Sequence, residues 1–340
     1  MPKISVILTS YNHEKFLSYA IESVLNQTID DFELIIWDDC SSDKSWEIIK
    51  SYSDTRIKCY RNDERKRSIF GINKSIMELS TGGYIAIHHS DDIWHLDKLR
   101  QQLEVFDSNP HLGAVFTNAL AINESGLPLE DKKHFYFDQS NRTRFEWLNF
   151  FFTKGNALCH PSVLIRKQCY LDCGAYRYGL AQLPDFDMWI RLCMKYEIYV
   201  LNEKLIKFRV LNNNANSSGA RPETIARFKF EFFKLLDNFK NIDSTEDLIK
   251  IFPVLISRFP IKKWHSLNSP SMTKFDVLFL LAFAALNESK NSILRLFGFG
   301  ILYDLIGNSE SAKVINKNYN FDYQKFIALT GEHDFFSHRI

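Results

Sequence analysis

Between residues 4 and 117 the chain alternates short apolar runs with amphipathic stretches, and this alternation constrains the fold more than any other feature. Ile4 to Leu8 is short, apolar and rich in β-branched side chains, as a strand buried on both faces of a parallel sheet must be. It ends in the polar turn Thr9-Ser10-Tyr11-Asn12. A helix follows whose Phe16, Leu17, Ala20, Ile21, Val24 and Leu25 form one apolar face. Phe32 to Trp37 predicts a second strand closed by Asp38-Asp39, after which Ser41-Ser42-Asp43 caps a helix bearing Trp46, Ile48 and Ile49. Ile57 to Tyr60 reads as a third strand, and a basic loop leads through Gly71 into a helix over Ile72 to Leu79. Tyr84 to Ile87 predicts a fourth strand delivering His88-His89-Ser90-Asp91-Asp92, with a helix from Leu96 to Phe106 and a strand over Ala114 to Thr117 beyond it. Strands and helices joined in this order by short connections imply an α/β fold with a mostly parallel sheet, covered on both faces. Such sheets bind ligands outside the carboxyl ends of their strands. Thr9 to Asn12, Asp38-Asp39 and Asp91-Asp92 all fall there.

The remainder is less regular. Glu124 to Arg142 reads as a polar insertion, Arg144 to Phe152 as an aromatic helix, and His160 to Ile165 as a return to strand. Asp185 to Met194 predicts a helix and Leu205 to Val210 a closing strand, before the Asn-rich loop Asn212 to Ser218. After Arg221 only helical patterns remain, so a boundary is placed near residue 220, giving a 1–220 domain with halves of 1–120 and 121–220, and a helical 221–340 region. A chain of 340 residues exceeds the usual size of a single core, which suits this division.

Composition mainly excludes. Lys and Arg number 42 against 41 Asp and Glu, and this balance lacks the basic excess of a nucleic-acid binder. Six scattered cysteines suit a reducing cytoplasm, and Cys169 with Cys173 lacks the second pair that a structural zinc site would need. The opening Met1-Pro2-Lys3 leads straight into the first strand, leaving no room for a secretory apolar region. The longest apolar run, Val277 to Leu286, falls short of the ~18 residues a membrane span needs. A cytoplasmic protein is expected, either free or peripheral at the inner face of the membrane. The 29 phenylalanines fit either an aromatic core or a surface that meets lipid or another subunit. Neither Gly-x-Gly-x-x-Gly after the first strand nor a phosphate loop ending Gly-Lys-Ser/Thr is present, which sets aside dinucleotide oxidoreduction and triphosphate hydrolysis of those types.

Five segments in order carry a resemblance: Ile4-Ser-Val-Ile-Leu-Thr-Ser-Tyr-Asn12, Ser23-Val-Leu-Asn-Gln-Thr28, Asp38-Asp-Cys-Ser-Ser-Asp43, Gly83-Tyr-Ile-Ala with Asp91-Asp-Ile-Trp94, and Pro184-Asp-Phe-Asp-Met-Trp-Ile-Arg-Leu192. Together they resemble the inverting family 2 glycosyltransferases of the GT-A fold, a Rossmann-like sheet flanked by helices. The match spans residues 3 to 215, with the helical C-terminal extension outside it. The resemblance implies a nucleotide-sugar donor, most simply a UDP-sugar, bound by the first half. The second half would hold a glycan or lipid-linked acceptor. Tyr11 would stack on the base with Thr9 and Asn12 beside it, and Asp39 would accept a base N–H. Asp92 would hold Mn²⁺ or Mg²⁺, a hard cation that takes oxygen ligands and bridges to phosphates, while Asp91 faces the ribose or sugar. Arg65, Lys66 or Arg67 would reach the diphosphate, with Arg67 taken as the candidate. Asp185 would be the base that deprotonates the acceptor.

Alternatives stand beside these roles. Asp38, Asp39 and Asp43 fit helix capping, the preferred reading for Asp43 alone. Asp91-Asp92 could cap the helix before Leu96. Asp187 is either an acceptor-binding acid or a first-turn helix acid, and His160 either lines the site or is structural. His89 stands where many relatives have an acid, and Pro184 where they have Glu. Those two departures favour the competing reading of a degenerate transferase that binds sugar or nucleotide as a scaffold. The C-terminal helices, including the basic and aromatic Arg258 to Trp264, suit a membrane interface, a homodimer or packing within the chain.

Overall fold

The computed structural model describes residues 2–130, 136–216, 218–255, 272–287 and 291–332. Two compact units emerge, one of residues 1–144 with 156–224 and the other of 145–155 with 225–340.

The first unit is built on an eight-stranded sheet in the order β3-β2-β1-β4-β7-β6-β8-β5. Its strands are β1 (Ile4–Ser10), β2 (Phe32–Asp38), β3 (Ile57–Arg61), β4 (Tyr84–His89), β5 (Ile93–Trp94), β6 (Leu112–Ile122), β7 (Leu164–Arg166) and β8 (Glu197–Arg209). β3, β2, β1 and β4 run parallel, β7 is antiparallel to both β4 and β6, β6 and β8 are parallel, and β5 returns antiparallel on β8. Every residue of β1 and β2 is buried, which is why those segments read as nearly continuous apolar runs. Helix α1 (Leu17–Leu25) buries Leu17, Ala20, Ile21 and Val24, the apolar face visible in the sequence, and α2 (Ser45–Ser51) follows β2.

One charged network pins the amino ends of the central strands. Glu33 on β2 accepts from Ser5 Oγ of β1 (2.6 Å), Lys58 Nζ of β3 (2.7 Å) and both Thr81 N and Oγ1 (2.7 Å each) before β4. Burial pushes its pKa upward, but the bonds from Lys58, Ser5 and Thr81 outweigh that and hold it down at about 2. The opposite, carboxyl ends of the same strands carry the polar clusters.

Several expectations shift. The third helix, α3 (Ser68–Lys74), starts before Gly71 and continues as a π-turn over Ser75–Leu79. Gly71 lies inside it because a Cβ there would sit 2.5 Å from the Trp37 ring. His160–Ser162 forms a 3₁₀ turn rather than strand, and β6 and β8 are both longer than their apolar cores suggested. Helix α4 (Lys98–Ser108) has Asp97 at its N-cap, and β5 separates it from Asp91-Asp92, so those two acids do not cap it.

The second unit contains α5 (Arg144–Thr153) over most of its length and the helices from Pro222 onward. Its core takes up much of the phenylalanine. Phe152 packs edge-on against Phe239 and Phe252 at 4.9 Å each, and Phe279 stacks on Tyr319 at 4.3 Å. Phe228 and Phe230 remain exposed. Among the described residues no helix is long and apolar enough to cross a membrane. The segment Arg258 to Trp264 and residues 131–135 of the polar insertion lie outside the described residues.

Candidate active site

The loops after β1 and β2 are locked together. Asn12 takes a left-handed conformation (φ 52°), which its short polar side chain tolerates. Its Oδ1 accepts from Ser42 N (2.8 Å) and its own N–H donates to Ser41 Oγ (3.0 Å). Asp38 accepts from Ser41 N (2.9 Å) and pairs with Arg61 at 3.3 Å. Asp43 accepts from the N–H groups of Glu14 and Ser45 (2.9 Å each), tying the two loops together; Lys44 and not Asp43 stands at the N-cap of the helix that follows. Thr9 is buried at the end of β1, opposite Trp37 on one side and His89 on the other.

Asp39 organises the basic loop. Its Oδ1 accepts from Asn62 Nδ2 and Lys66 N (2.7 Å each) and its Oδ2 from Arg67 N (2.8 Å). Asn62 is itself oriented by Trp37 Nε1 (3.1 Å to Oδ1). Gly71, Trp37, Asn62 and Asp39 thus form one chain of contacts from α3 to the strand ends. The fold brings Arg65 onto the Tyr11 ring, 4.0 Å from its centroid, and sets the exposed Arg67 immediately before α3. Lys66 lies over Phe70 at 4.9 Å, on the helix side.

The acidic turn follows β4. Asp92 N donates to His89 O (3.3 Å), closing His89-Ser90-Asp91-Asp92 on itself. One ligand atom from each of His89, Asp91 and Asp92 can be chosen so that all three lie within 4.8 Å of one another. The pairing of β5 with β8 sets Ile93 opposite Lys207, so Arg209 arrives beside the two acids. Arg209 N donates to Asp92 Oδ1 and its Nε to Asp91 O, both at 2.8 Å. Asp92 is 1% exposed and its Oδ2 has no hydrogen-bond donor. Burial and the neighbouring Asp91 push its pKa well above the carboxylate range, against the opposing pull of Arg209. A buried carboxylate oxygen with no donor, beside a second acid, fits a cation of the Mg²⁺ or Mn²⁺ class.

On the other side, beyond α6 (Lys167–Cys173), stands α7 (Pro184–Cys193). Pro184 occupies its first turn, where a missing N–H costs nothing, and Asp185 follows at the positive end of the helix dipole. Asn156 Nδ2 donates to Asp185 Oδ2 (2.9 Å). Burial raises the Cys159 thiol pKa, and the charges of Asp92 and Asp185 raise it further, so both carboxylates act on this one side chain. Asp187 faces away from that role: it is fully buried and paired with Arg177 (2.9 Å) and Arg191 (2.8 Å). Trp189 is core.

Sequence reasoning did not find the polar chain behind His89. His89 Nε2 meets His160 Nδ1 (3.3 Å), His160 Nε2 meets Tyr176 OH (2.9 Å), and Tyr176 OH meets Tyr170 OH (2.9 Å). His89 and His160 stood out in the sequence, but Tyr170 and Tyr176 lie in a mixed stretch beside Asp172, Arg177 and Tyr178 that singles out neither. Asn62 and Asn156 were also missed. Asn62 directly follows a strand end, a position that was a usable signal.

The sequence profile of Glycosyl transferase family 2 matches residues 5–169. The glycosyltransferase TuaG of Bacillus subtilis (strain 168), named for teichuronic acid biosynthesis, is 30% identical over 226 residues, covering 64% of this chain and 82% of TuaG. The UDP-Glc:alpha-D-GlcNAc-diphosphoundecaprenol beta-1,3-glucosyltransferase WfgD of Escherichia coli is 35% identical over 124 residues, 36% of this chain and 48% of WfgD. Among solved structures, S. aureus TarS 1-349 in complex with UDP-GlcNAc superposes with a TM-score of 0.58 at 15% identity, over 94% of this chain and 91% of that one. That likeness bears on fold alone and supports the GT-A arrangement. By profile and by relatives, the chain belongs to glycosyl transferase family 2.

Proposed function

We propose that the chain is an inverting, metal-dependent glycosyltransferase that moves a sugar from a UDP-sugar to a hydroxyl of a glycan or lipid-linked acceptor in surface-polysaccharide assembly. The observation that carries this reading is the buried Asp92, whose Oδ2 lacks a donor beside Asp91 at the end of β4. Asp92 would hold Mn²⁺ or Mg²⁺ with Asp91 close by, and the cation supplies Lewis acidity that stabilises the departing diphosphate. Asp39 still has acceptor capacity for a base N–H, because a carboxylate offers about four lone-pair sites and three are in use. Tyr11 offers its face to uracil once Arg65 leaves it, and Arg65 and Arg67 are then free to meet phosphate. Asp185, held by Asn156, takes the acceptor proton as the hydroxyl attacks the anomeric carbon from the face opposite the leaving group. Configuration inverts through an oxocarbenium-like transition state. The relatives TuaG, named for teichuronic acid biosynthesis, and WfgD, named for a diphosphoundecaprenol acceptor, support the polysaccharide setting and the undecaprenol-type acceptor.

The test is calorimetric titration with UDP, with and without Mn²⁺, on the wild type and Asp92→Asn. Mn²⁺ is expected to tighten UDP binding at least ~10-fold in the wild type and not in the variant. Equal affinity with and without Mn²⁺ would remove the metal-dependent reading. Transfer from a UDP-sugar panel, with the product anomer read by NMR, tests inversion, and a retained configuration would overturn it.

A further inference from the structure

The turn that carries the two acids also carries an imidazole, and its surroundings fix which way that ring points. His89 Nδ1 lies 3.6 Å from Asp92 Oδ2, too far for a hydrogen bond, whereas its Nε2 lies 3.3 Å from His160 Nδ1. The contact accommodates the ring proton on Nε2, donated to His160 Nδ1. His160 Nε2 continues the chain to Tyr176 OH, and that hydroxyl meets Tyr170 OH. Tyr170 and Tyr176 are both almost wholly buried, so the chain behind His89 is rigid. In that tautomer the Nδ1 lone pair of His89 faces the donorless Oδ2 of Asp92. Two lone-pair atoms held face to face are stabilised by a positive centre between them, a proton in the empty site or a cation in the loaded one. Two metal–ligand bonds of ~2.1 Å place their ligand atoms between about 3.0 Å and 4.2 Å apart as the angle opens from square to straight. The observed 3.6 Å falls inside that range.

We infer that His89 Nδ1 is a protein ligand of the donor-site cation, making the set one nitrogen and carboxylate oxygens, with His160 and Tyr176 as its positioning residues. The inference rests on the metal-dependent reading above and specifies its ligands. Imidazole favours first-row transition ions over Mg²⁺, so the site selects Mn²⁺ and its heavier neighbours. His160 acts as outer-shell partners of metal-bound histidines do, fixing tautomer and ring orientation.

The experiment uses the full chain stripped of metal and reloaded with Mn²⁺ and UDP. Electron spin echo envelope modulation is recorded on the wild type, His89→Gln and His89→Asp. The wild type is expected to show modulation from a directly bound ¹⁴N, and both variants to lose it. His89→Asp is expected to keep Mn²⁺ while reducing the preference for Mn²⁺ over Mg²⁺ by ~10-fold. Bound Mn²⁺ without ¹⁴N modulation in the wild type would overturn the inference and leave the metal-dependent donor site standing. Modulation that survives in His89→Gln would place the nitrogen on another residue and equally overturn it. Failure of Mn²⁺ to bind, with or without UDP, would remove both readings.

Discussion

Arg209, at the end of β8, holds Asp92 in place. Its backbone N–H reaches Asp92 Oδ1 at 2.8 Å, while its guanidinium binds the main-chain oxygens of Asp91 (2.8 Å), Asn123 (3.0 Å) and Glu124 (2.8 Å). The same guanidinium lies over the Phe16 ring at 4.6 Å. A residue 117 positions downstream thus shapes the acidic turn. Arg209→Met keeps the apolar stem but leaves three carbonyls and a buried acid without their cation. Chemical denaturation should show a loss of about 3 kcal/mol, typical of removing one partner from a buried charged network. A change under ~0.5 kcal/mol would mean that the guanidinium is dispensable.

Asp185 sits in the first turn of α7 with Asn156 orienting it. Asp185→Asn preserves shape and removes the base. Sugar transfer should fall by ~10³-fold in kcat while UDP affinity stays within ~2-fold. A parallel loss of UDP binding would instead place Asp185 in donor recognition.

The network around Glu33 makes a pH-dependent prediction at the amino ends of the strands. Its pKa falls from 4.5 to about 2 in the folded chain, so its stabilisation is fully present above about pH 4.5 and is lost as pH falls toward 2. The whole contribution is about 3 kcal/mol. Between pH 7 and pH 3 the wild type should lose about 2 kcal/mol more than Glu33→Gln. Parallel pH profiles for the two proteins would show that Lys58, Ser5 and Thr81 bind the protonated acid as well as the carboxylate.

Gly71 tests how packing reaches the site. A Cβ there would meet the body of the Trp37 ring at 2.5 Å, whereas nothing lies within 4 Å of one at Gly83. Gly71→Ala should cost about 2 kcal/mol by overpacking, against ~0.5 kcal/mol or less for Gly83→Ala. Because Trp37 orients Asn62 and Asn62 bonds Asp39, Gly71→Ala should also weaken UDP binding. Unchanged UDP affinity in a destabilised Gly71→Ala protein would uncouple the packing from the site.

Much of the first unit was legible because its strands declare themselves locally. Ile4 to Leu8, Phe32 to Trp37 and Tyr84 to Ile87 are almost wholly buried, so apart from the mutually bonded Ser5 and Glu33 their residues had to be apolar, and the polar clusters begin where the strands end. The same logic exposed Asp39, Asp91 and Asp92. Gly71 misled because a glycine ahead of an apolar stretch reads as a helix boundary, whereas it permits close approach of a tryptophan 34 positions earlier in the chain. Lys98 gave no warning at all. It is wholly buried, its Nζ bonded to Gln102 Oε1 (2.9 Å) and lying over Trp94 at 3.9 Å, in a helix whose pattern allows a solvated lysine there.

The sequence by itself determined the layered sheet, the strand ends that carry chemistry and the family to which the chain is similar. These depend on residues near one another in the chain, whose periodicity and turn chemistry are set by short-range sterics and burial. Only the tertiary structure decided how those ends are used. It stacked Arg65 on Tyr11, turned Asp39 onto the basic loop, gave Asp187 to Arg177 and Arg191, and set His160 behind His89. Those pairings join residues tens of positions apart or choose among several equivalent charges. The choice depends on which groups share a buried space, where an unmatched polar atom costs more than any local preference supplies.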